Sequence, residues 1–442
     1  MPHLIYVAVG FPPAAKSCAY RMREVANLVC EQGWDVTVVT LNERAWSLEY
    51  GLDHTLLADV DPRVRVVELP LARRDLEPDV RRYSWLRARH PDAWARARFR
   101  LDELAFPEGM FGSWRSALER AVLEVHRERP ADLLMVSPAP YTTLAAAWAL
   151  HERHGVPYVV DFRDAWSLNV LTGEDALAPD SRAGRWERRL VENALETWVV
   201  NEPIAQWYAH RYPHLRGRIR VVRNGFDPVD IPAGAPRSVG PDQPPVFGYL
   251  GTLNVPYAQT RRLLEGWRHA RRADRTLKRA RLVFRGHLGM GMARGANSNA
   301  AAISRAAIHD VEYGGPVAKA EVAGVYAGWD ALVLALAGGR YVTSGKVYEY
   351  MATGLPIVSA HEPEHAATEV LDGYPLWVPA RSTDQPDITD AFVRAVRVIQ
   401  RAGPDERAAG RRHAARFERR AQLRPAIQAV TSSIVAPREV AR

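Results

Sequence analysis

The chain has 442 residues, 47% hydrophobic and 25% charged, which is enough for buried cores, too long for one comfortable domain and inconsistent with wholesale disorder. Its two cysteines, Cys18 and Cys30, exclude a disulfide framework or a cysteine-based metal site and fit a reducing cytosol. The formal charge of +8 is nearly all arginine; it suits phosphate-bearing partners such as nucleotide sugars or anionic lipid, and it equally suits a solvated surface set by an arginine-favouring coding bias.

The opening run MPHLIYVAVGFPP has no basic residues ahead of it and reads as a first strand, His3–Val9, rather than a signal peptide. The turn Gly10-Phe11-Pro12-Pro13, a helical pattern over 20–32 and a second apolar strand, Asp35–Thr40, follow. Strands are then expected at Leu133–Val136, Tyr158–Val160, Thr197–Val200 and Ile219–Val222. Short, nearly continuous apolar runs between amphipathic helices predict a parallel sheet covered on both faces. Residues 42–114 break the alternation as an irregular insertion. Within it the arginine-rich stretch 73–100 carries Trp85 and Trp94. It reads either as a pair of solvated helices or as a cationic surface for an anionic membrane or a phosphorylated acceptor.

A Pro/Gly-dense segment, 229–245, has linker composition. Alternation resumes with strands at Val246–Leu250, Leu282–Arg285, Val311–Tyr313, Ala331–Leu336 and Pro356–Ser359, and the chain ends in Arg/Ala-rich helix. The expected domains are 1–228, 246–405 and a helical tail, 406–442. No apolar stretch approaches the roughly 20 residues that span a bilayer, so the protein is expected to be soluble and cytoplasmic, with contact to the inner face of a membrane only through the 73–100 stretch.

The most informative segment is TSGKVYEYMATGLPIVS, residues 343–359. A helix starting near Gly345 offers unpaired amides and a positive dipole end, Lys346 adds a full charge, and an anion such as a diphosphate is well held there. Glu349, one turn deeper on the same face, suits two ribose hydroxyls. A helix with an ion pair in its first turn is the plainer alternative.

This segment resembles the donor-binding helix of retaining glycosyltransferases of the GT-B fold, family 4. Gly248-Tyr249-Leu250-Gly251, Asn224-Gly225-Phe226-Asp227 and VVDFRDAW (159–166) fall in that family's order, and the resemblance covers nearly the whole chain. It implies an α/β fold of two Rossmann-like domains facing a cleft, with the C-terminal helices crossing back to the first. It implies a sugar moving from a uridine or guanosine diphosphate sugar to an acceptor hydroxyl with retention of configuration. Neither cofactor nor nucleic acid is implied; the nucleotide sugar is a co-substrate. Donor-binding positions would be Glu349, Gly251, Thr252, Val317, Ser344 and Gly345.

Several family positions differ. Tyr341 stands where a first glutamate is common, Thr252 and Ala258 where an arginine and a lysine are common, and Arg163 where a histidine is common. The leaving diphosphate is therefore expected to be met by Lys346 and Arg285, with Arg340 and Arg261 as secondary candidates. On the acceptor side the expected residues are Gly10, Phe11, Arg163 and Glu202. Asp161 and Asp164 end a strand, and one of them would orient or deprotonate the acceptor; the other reading is that at least one caps the turn. A non-catalytic nucleotide-sugar binder and an epimerising or phosphorylase enzyme on the same fold are the rival functions.

Two patterns are set aside. His361-Glu362-Pro363-Glu364-His365 spells a zinc-protease motif, but Pro363 forbids the continuous helix that motif needs, so no metal is expected. Gly289–Gly295 spaces its glycines one residue off a dinucleotide fingerprint and reads as a loop near the diphosphate.

Overall fold

The protein is described here by a computed structural model covering residues 1–49, 51–231, 243–289 and 298–435. It forms two compact units. The first is Met1–Asn169, Gly173–Arg223 and Arg420–Arg442; the second is Val170–Thr172 and Asn224–Arg419. Most of the expected linker and the Gly289–Gly295 loop beyond its first residue lie outside the described residues.

The first unit is built on β1 (His3–Ala8), β2 (Asp35–Leu41), β3 (Arg65–Leu69), β4 (Leu133–Ser137), β5 (Tyr158–Phe162), β6 (Glu196–Val199) and β7 (Ile219–Val221). They pair in the order β3-β2-β1-β4-β5-β6-β7, all parallel. Every residue of β1, β4 and β5 is buried, as sheets covered by helices on both faces demand. β3 corrects the sequence reading: the insertion supplies a seventh strand, at the sheet edge and largely exposed, so it tolerates Arg65 and Glu68 among its apolar residues.

The second unit is built on β8 (Val246–Leu250), β9 (Arg281–Arg285), β10 (Val311–Tyr313), β11 (Ala331–Ala335), β12 (Ile357–Ala360) and β13 (Trp377–Pro379). Their order is β10-β9-β8-β11-β12-β13, again parallel. β13, three residues at the edge, was not expected. Helices Tyr257–Ala273 and Gln385–Arg401 cover one face; Trp267 lies between Phe247 and Phe392, with ring centroids 5.3 and 5.1 Å away.

The tail expected to return as one piece from residue 406 divides instead. The helix Pro404–Ala415 stays in the second unit, where Gly410 lies against the ring of Tyr374. The helix Arg419–Val435 places Leu423, Ala426, Ile427 and Val430 in the first unit's core. The two crossing segments lie side by side: Phe226 N–H donates to Phe417 O (3.2 Å) and Arg419 N–H to Phe226 O (2.9 Å). Arg419 also donates to Asp227 (2.8 Å) and to Asn224 O (2.9 Å). Among the described residues no helix is long and apolar enough to cross a membrane.

Candidate donor and acceptor sites

In the second unit the informative segment folds as a nine-residue helix, Gly345–Thr353, between β11 and β12. Ser344 caps it, accepting from Lys346 N–H at 3.4 Å, so one of the two amides expected to be unpaired is partly engaged. The helix ends at Gly354, whose φ of 71° is the left-handed cap position that glycine adopts without strain. Its orientation is set by a residue that sequence reasoning did not single out. Tyr350 Oη donates to Leu250 O (3.1 Å) and accepts from Leu250 N–H (2.8 Å), which pins the helix to the end of β8.

That pin brings Lys346 over Gly251. A Cβ at Gly251, where φ is +114°, would sit 2.6 Å from Lys346 Cε, so the lysine can lie there only because residue 251 has no side chain. Lys346 Nζ is 5.8 Å from the ring centroid of Tyr249. Loss of water lowers the lysine's pKa, and the field of Glu349 raises it in part. The neighbouring strand ends are equally bare. A Cβ at Gly286 would meet the carbonyl of Gly251, and one at Gly314 would lie 2.7 Å from Arg285 Cδ. The backbones run on in register beyond the strands, with Gly251 N–H to Arg285 O (2.9 Å) and Gly286 N–H to Gly315 O (2.8 Å). Arg285 lies half-buried against this surface, and its buried Nε donates to no group among the described residues. Lys346, Arg285 and the glycines thus form one cationic shelf where anionic oxygens can approach backbone closely.

Glu349 lies one turn further along the helix, half-buried, accepting from Tyr326 Oη at 3.4 Å. Burial raises its pKa and outweighs the opposing fields of Lys319, Arg419 and Lys346, while Asp230 raises it further. Lys319, half-buried, pairs with Asp230, and Arg419 pairs with Asp227, so two ion pairs shape the field at Glu349. Asp230 and Lys319 are 89 residues apart, and nothing local in the sequence announces them. Of the remaining donor-side positions, Thr252 is half-buried with its carbonyl accepting from Tyr249 Oη (2.9 Å), Val317 packs on the core and Gly345 is exposed. Arg261 is exposed and faces Glu265 at 3.7 Å, and the Arg340 guanidinium lies 5.6 Å from the Tyr341 ring.

In the first unit, Asp161 departs from expectation. It is fully buried, and both its oxygens are held by Arg21, at 2.8 and 2.7 Å. Arg21 also donates to Arg223 O (3.0 Å). A carboxylate bound at both oxygens with no exposed surface is a structural ion pair and not a base for an incoming hydroxyl. Asp164 is exposed. Arg163 is half-buried with a buried, unpartnered Nε, and the fields of Cys18, Asp164 and Asp161 raise its pKa against the burial that lowers it. Gly10 is buried against Cys18 Sγ, where a Cβ would clash, and Phe11 is buried in the core. Glu202 follows β6 by three residues and is exposed in the first turn of a helix capped by Asn201. The HEPEH segment is a turn followed by a helix, Ala366–Leu371. His365 caps that helix, accepting from Ala367 N–H at 3.0 Å, so the two histidines do not share a helical face.

Residues 18–225 match the family model described as "Glycosyl transferase 4-like domain", and residues 244–399 the model "Glycosyl transferases group 1". Among solved structures, sucrose-phosphate synthase from Thermosynechococcus elongatus is 14% identical, covering 98% of this chain and 99% of its own, with a TM-score of 0.64. A glycosyltransferase from Rickettsia africae is 11% identical over 99% of both chains, with a TM-score of 0.66. HepE from Anabaena, determined in complex with UDP and glucose, is 13% identical over 98% of this chain and 100% of its own, with a TM-score of 0.61. At such identities the likeness is one of fold. No curated protein matches the sequence.

Proposed function

The chain belongs to the group 1, family 4 glycosyltransferases of the GT-B fold, and from that premise we propose that it is a retaining enzyme that takes a sugar from a nucleoside diphosphate sugar held by its second unit. The observation that carries this reading is the cationic shelf of Lys346, Arg285, Gly251 and Gly286 with Glu349 one helical turn away. A diphosphate on that shelf meets fixed positive charge and backbone without side chains; a ribose beside it presents two hydroxyls to Glu349. Breaking the bond from the anomeric carbon to the diphosphate builds negative charge on the departing oxygen. Donors already in place there stabilise the transition state more than the ground state. Lys346 and Arg285 meet this charge directly, so chelator is expected to leave turnover unchanged.

In this reading the acceptor hydroxyl adds to the anomeric carbon from the face the diphosphate leaves, and its proton passes to the departing phosphate oxygen. With Asp161 committed to Arg21, that oxygen is the base available to it. Arg163 and the turn at Gly10 are the acceptor-side groups of the first unit.

The test is the affinity for a nucleoside diphosphate sugar, measured by calorimetry. Hydrogen bonds to a charged group contribute about 1.5–3 kcal/mol, so Glu349→Ala is expected to raise the donor Kd about tenfold to a hundredfold. Tight binding by a folded Glu349→Ala protein would sink the donor-site reading. Slow donor hydrolysis by the purified parent separates an enzyme from a non-catalytic binder, which leaves the donor intact.

A further inference from the structure

We propose that the helical hairpin formed by Trp85–Arg89 and Pro91–Ala105 is a docking surface for an anionic lipid bilayer. One side of the second helix is used by the fold. Asp102 is buried and accepts from Ser113 N–H at 3.3 Å, and Arg98 faces it at 3.5 Å. Arg182 donates to the carbonyls of Glu103 (2.7 Å) and Leu104 (2.8 Å) at the helix end. Beyond that end Phe106 packs on Trp166 and Trp186, with centroids 5.6 and 5.2 Å away.

The opposite side does nothing for the fold, yet it is apolar. Ala93, Ala97, Leu101 and Leu104 recur at helical spacing and all face solvent; Leu101 is 61% and Leu104 71% exposed. Trp85, on the first helix, is 72% exposed. A stable fold gains nothing from showing water a tryptophan and two leucines on a fixed helical hairpin.

The charges around the stripe say what covers it. Residues 85–105 carry five arginines and three acids, Asp92, Asp102 and Glu103, of which Asp102 is buried opposite Arg98. Arg87 is used internally, stacked on Tyr83 and Trp94 at 3.6 and 4.8 Å. Arg89, Arg96 and Arg100 are exposed and have no carboxylate in ion-pair reach among the described residues. Helical spacing puts Arg96 and Arg100 along one flank of the leucine stripe. An apolar stripe flanked by unneutralised arginines, with a tryptophan nearby, is the pattern that lies at the interface of a bilayer carrying anionic headgroups. An apolar protein partner would leave those arginines unmatched, and nucleic acid would leave the leucines unmatched.

The hairpin is also tied to the acceptor end of its own unit. Trp166, against which Phe106 packs, follows Arg163 and Asp164 and stacks on Tyr141 at 4.9 Å. Glu108, just past the hairpin, accepts from the backbone N–H groups of Tyr141 (2.9 Å) and Thr142 (2.6 Å). Docking would therefore hold the end of β5 near lipid.

The experiment is flotation of the full chain with vesicles of phosphatidylcholine alone and of phosphatidylcholine mixed with phosphatidylglycerol. The parent is expected to float with the mixed vesicles only, and less so as salt rises. One arginine near an anionic surface is worth about fivefold in partition, so Arg96→Gln/Arg100→Gln should lose roughly 25-fold. Leu101→Ser/Leu104→Ser should lose at least as much. Both variants change exposed side chains only, and an unchanged melting temperature with an unchanged nucleotide-sugar shift confirms that the fold and the donor site are intact. Failure of the parent to float, or flotation of both variants at the parent's level, overturns the proposal. Displacement by soluble glycerol phosphate at matched headgroup concentration also overturns it, in favour of a phosphorylated small acceptor. None of these outcomes bears on the donor-site reading, which the Glu349 variants test separately.

Discussion

The two units end their parallel strands in opposite electrostatic states. In the first, the carboxylate at the end of β5, Asp161, is neutralised within the unit by Arg21 and fully removed from water. In the second, Arg285 ends β9 and Lys346 lies in the first turn of the helix Gly345–Thr353, both half-buried and without a carboxylate in ion-pair distance among the described residues. A charge that the fold neutralises serves the fold. A charge left without a counter-charge, on a shelf kept bare by Gly251 and Gly286, is one that a ligand must complete. In the proposed reading Asp161 serves stability and the two cations serve the substrate, although Asp161 and Arg285 both stand at the C-terminal end of a strand.

The contrast can be broken most directly at the buried pair. Removing one partner leaves an uncompensated charge in the core, so Asp161→Ala or Arg21→Met is expected to cost about 3–5 kcal/mol in chemical denaturation. The double replacement Arg21→Met/Asp161→Leu should recover much of that loss. If Asp161→Ala kept full stability and abolished turnover, Asp161 would be the base and the contrast would be wrong.

The cations should behave in the reverse way. Lys346→Ala and Arg285→Ala are each expected to lower turnover by roughly 10²–10³, or about 2.7–4 kcal/mol of barrier. Stability should change little, because each change removes a half-buried charge that has no ion pair among the described residues. Melting curves alongside rates decide this; full turnover in both variants would remove the diphosphate from the shelf.

The smallest effect sharpens the picture at Glu349. Its pKa in the folded protein lies above the ordinary 4.5. The folded state therefore favours the protonated acid, and that contribution to stability is lost as pH rises through the raised value. Donor binding runs the other way, because only the carboxylate accepts both hydroxyls. Affinity for a nucleoside diphosphate sugar should fall on acidification at a pH above 4.5, and Glu349→Gln should flatten that limb. A limb at the ordinary carboxylate value would mean that burial is not felt in the binding-competent state.

Much of this was legible because of how the strands are buried. β1, β4, β5 and β11 are buried throughout and read as nearly continuous apolar runs. β3 and β13 escaped because edge strands need no such run; β3 carries two exposed charges in five residues, and β13 is three residues ending in proline. The helix Gly345–Thr353 was legible because its signals are local: a lysine, a glutamate three residues on and a closing glycine. Asp161 misled because what decides its role is Arg21, 140 residues away. The same holds for the pin from Tyr350 to Leu250, which spans 100 residues.

The division of the helical tail bears on how the molecule comes into being. The second unit is almost uninterrupted in the chain, whereas the first waits for Leu423, Ala426, Ile427 and Val430 to fill its core. During synthesis the unit that begins first is thus the one that finishes last. Its sheet emerges with an uncovered apolar face for the time it takes to make nearly 200 further residues, Asn224–Arg419. Domains generally close as they leave the ribosome; here the nascent first unit must stay soluble while open, and the closing helix arrives only after the second unit has been made.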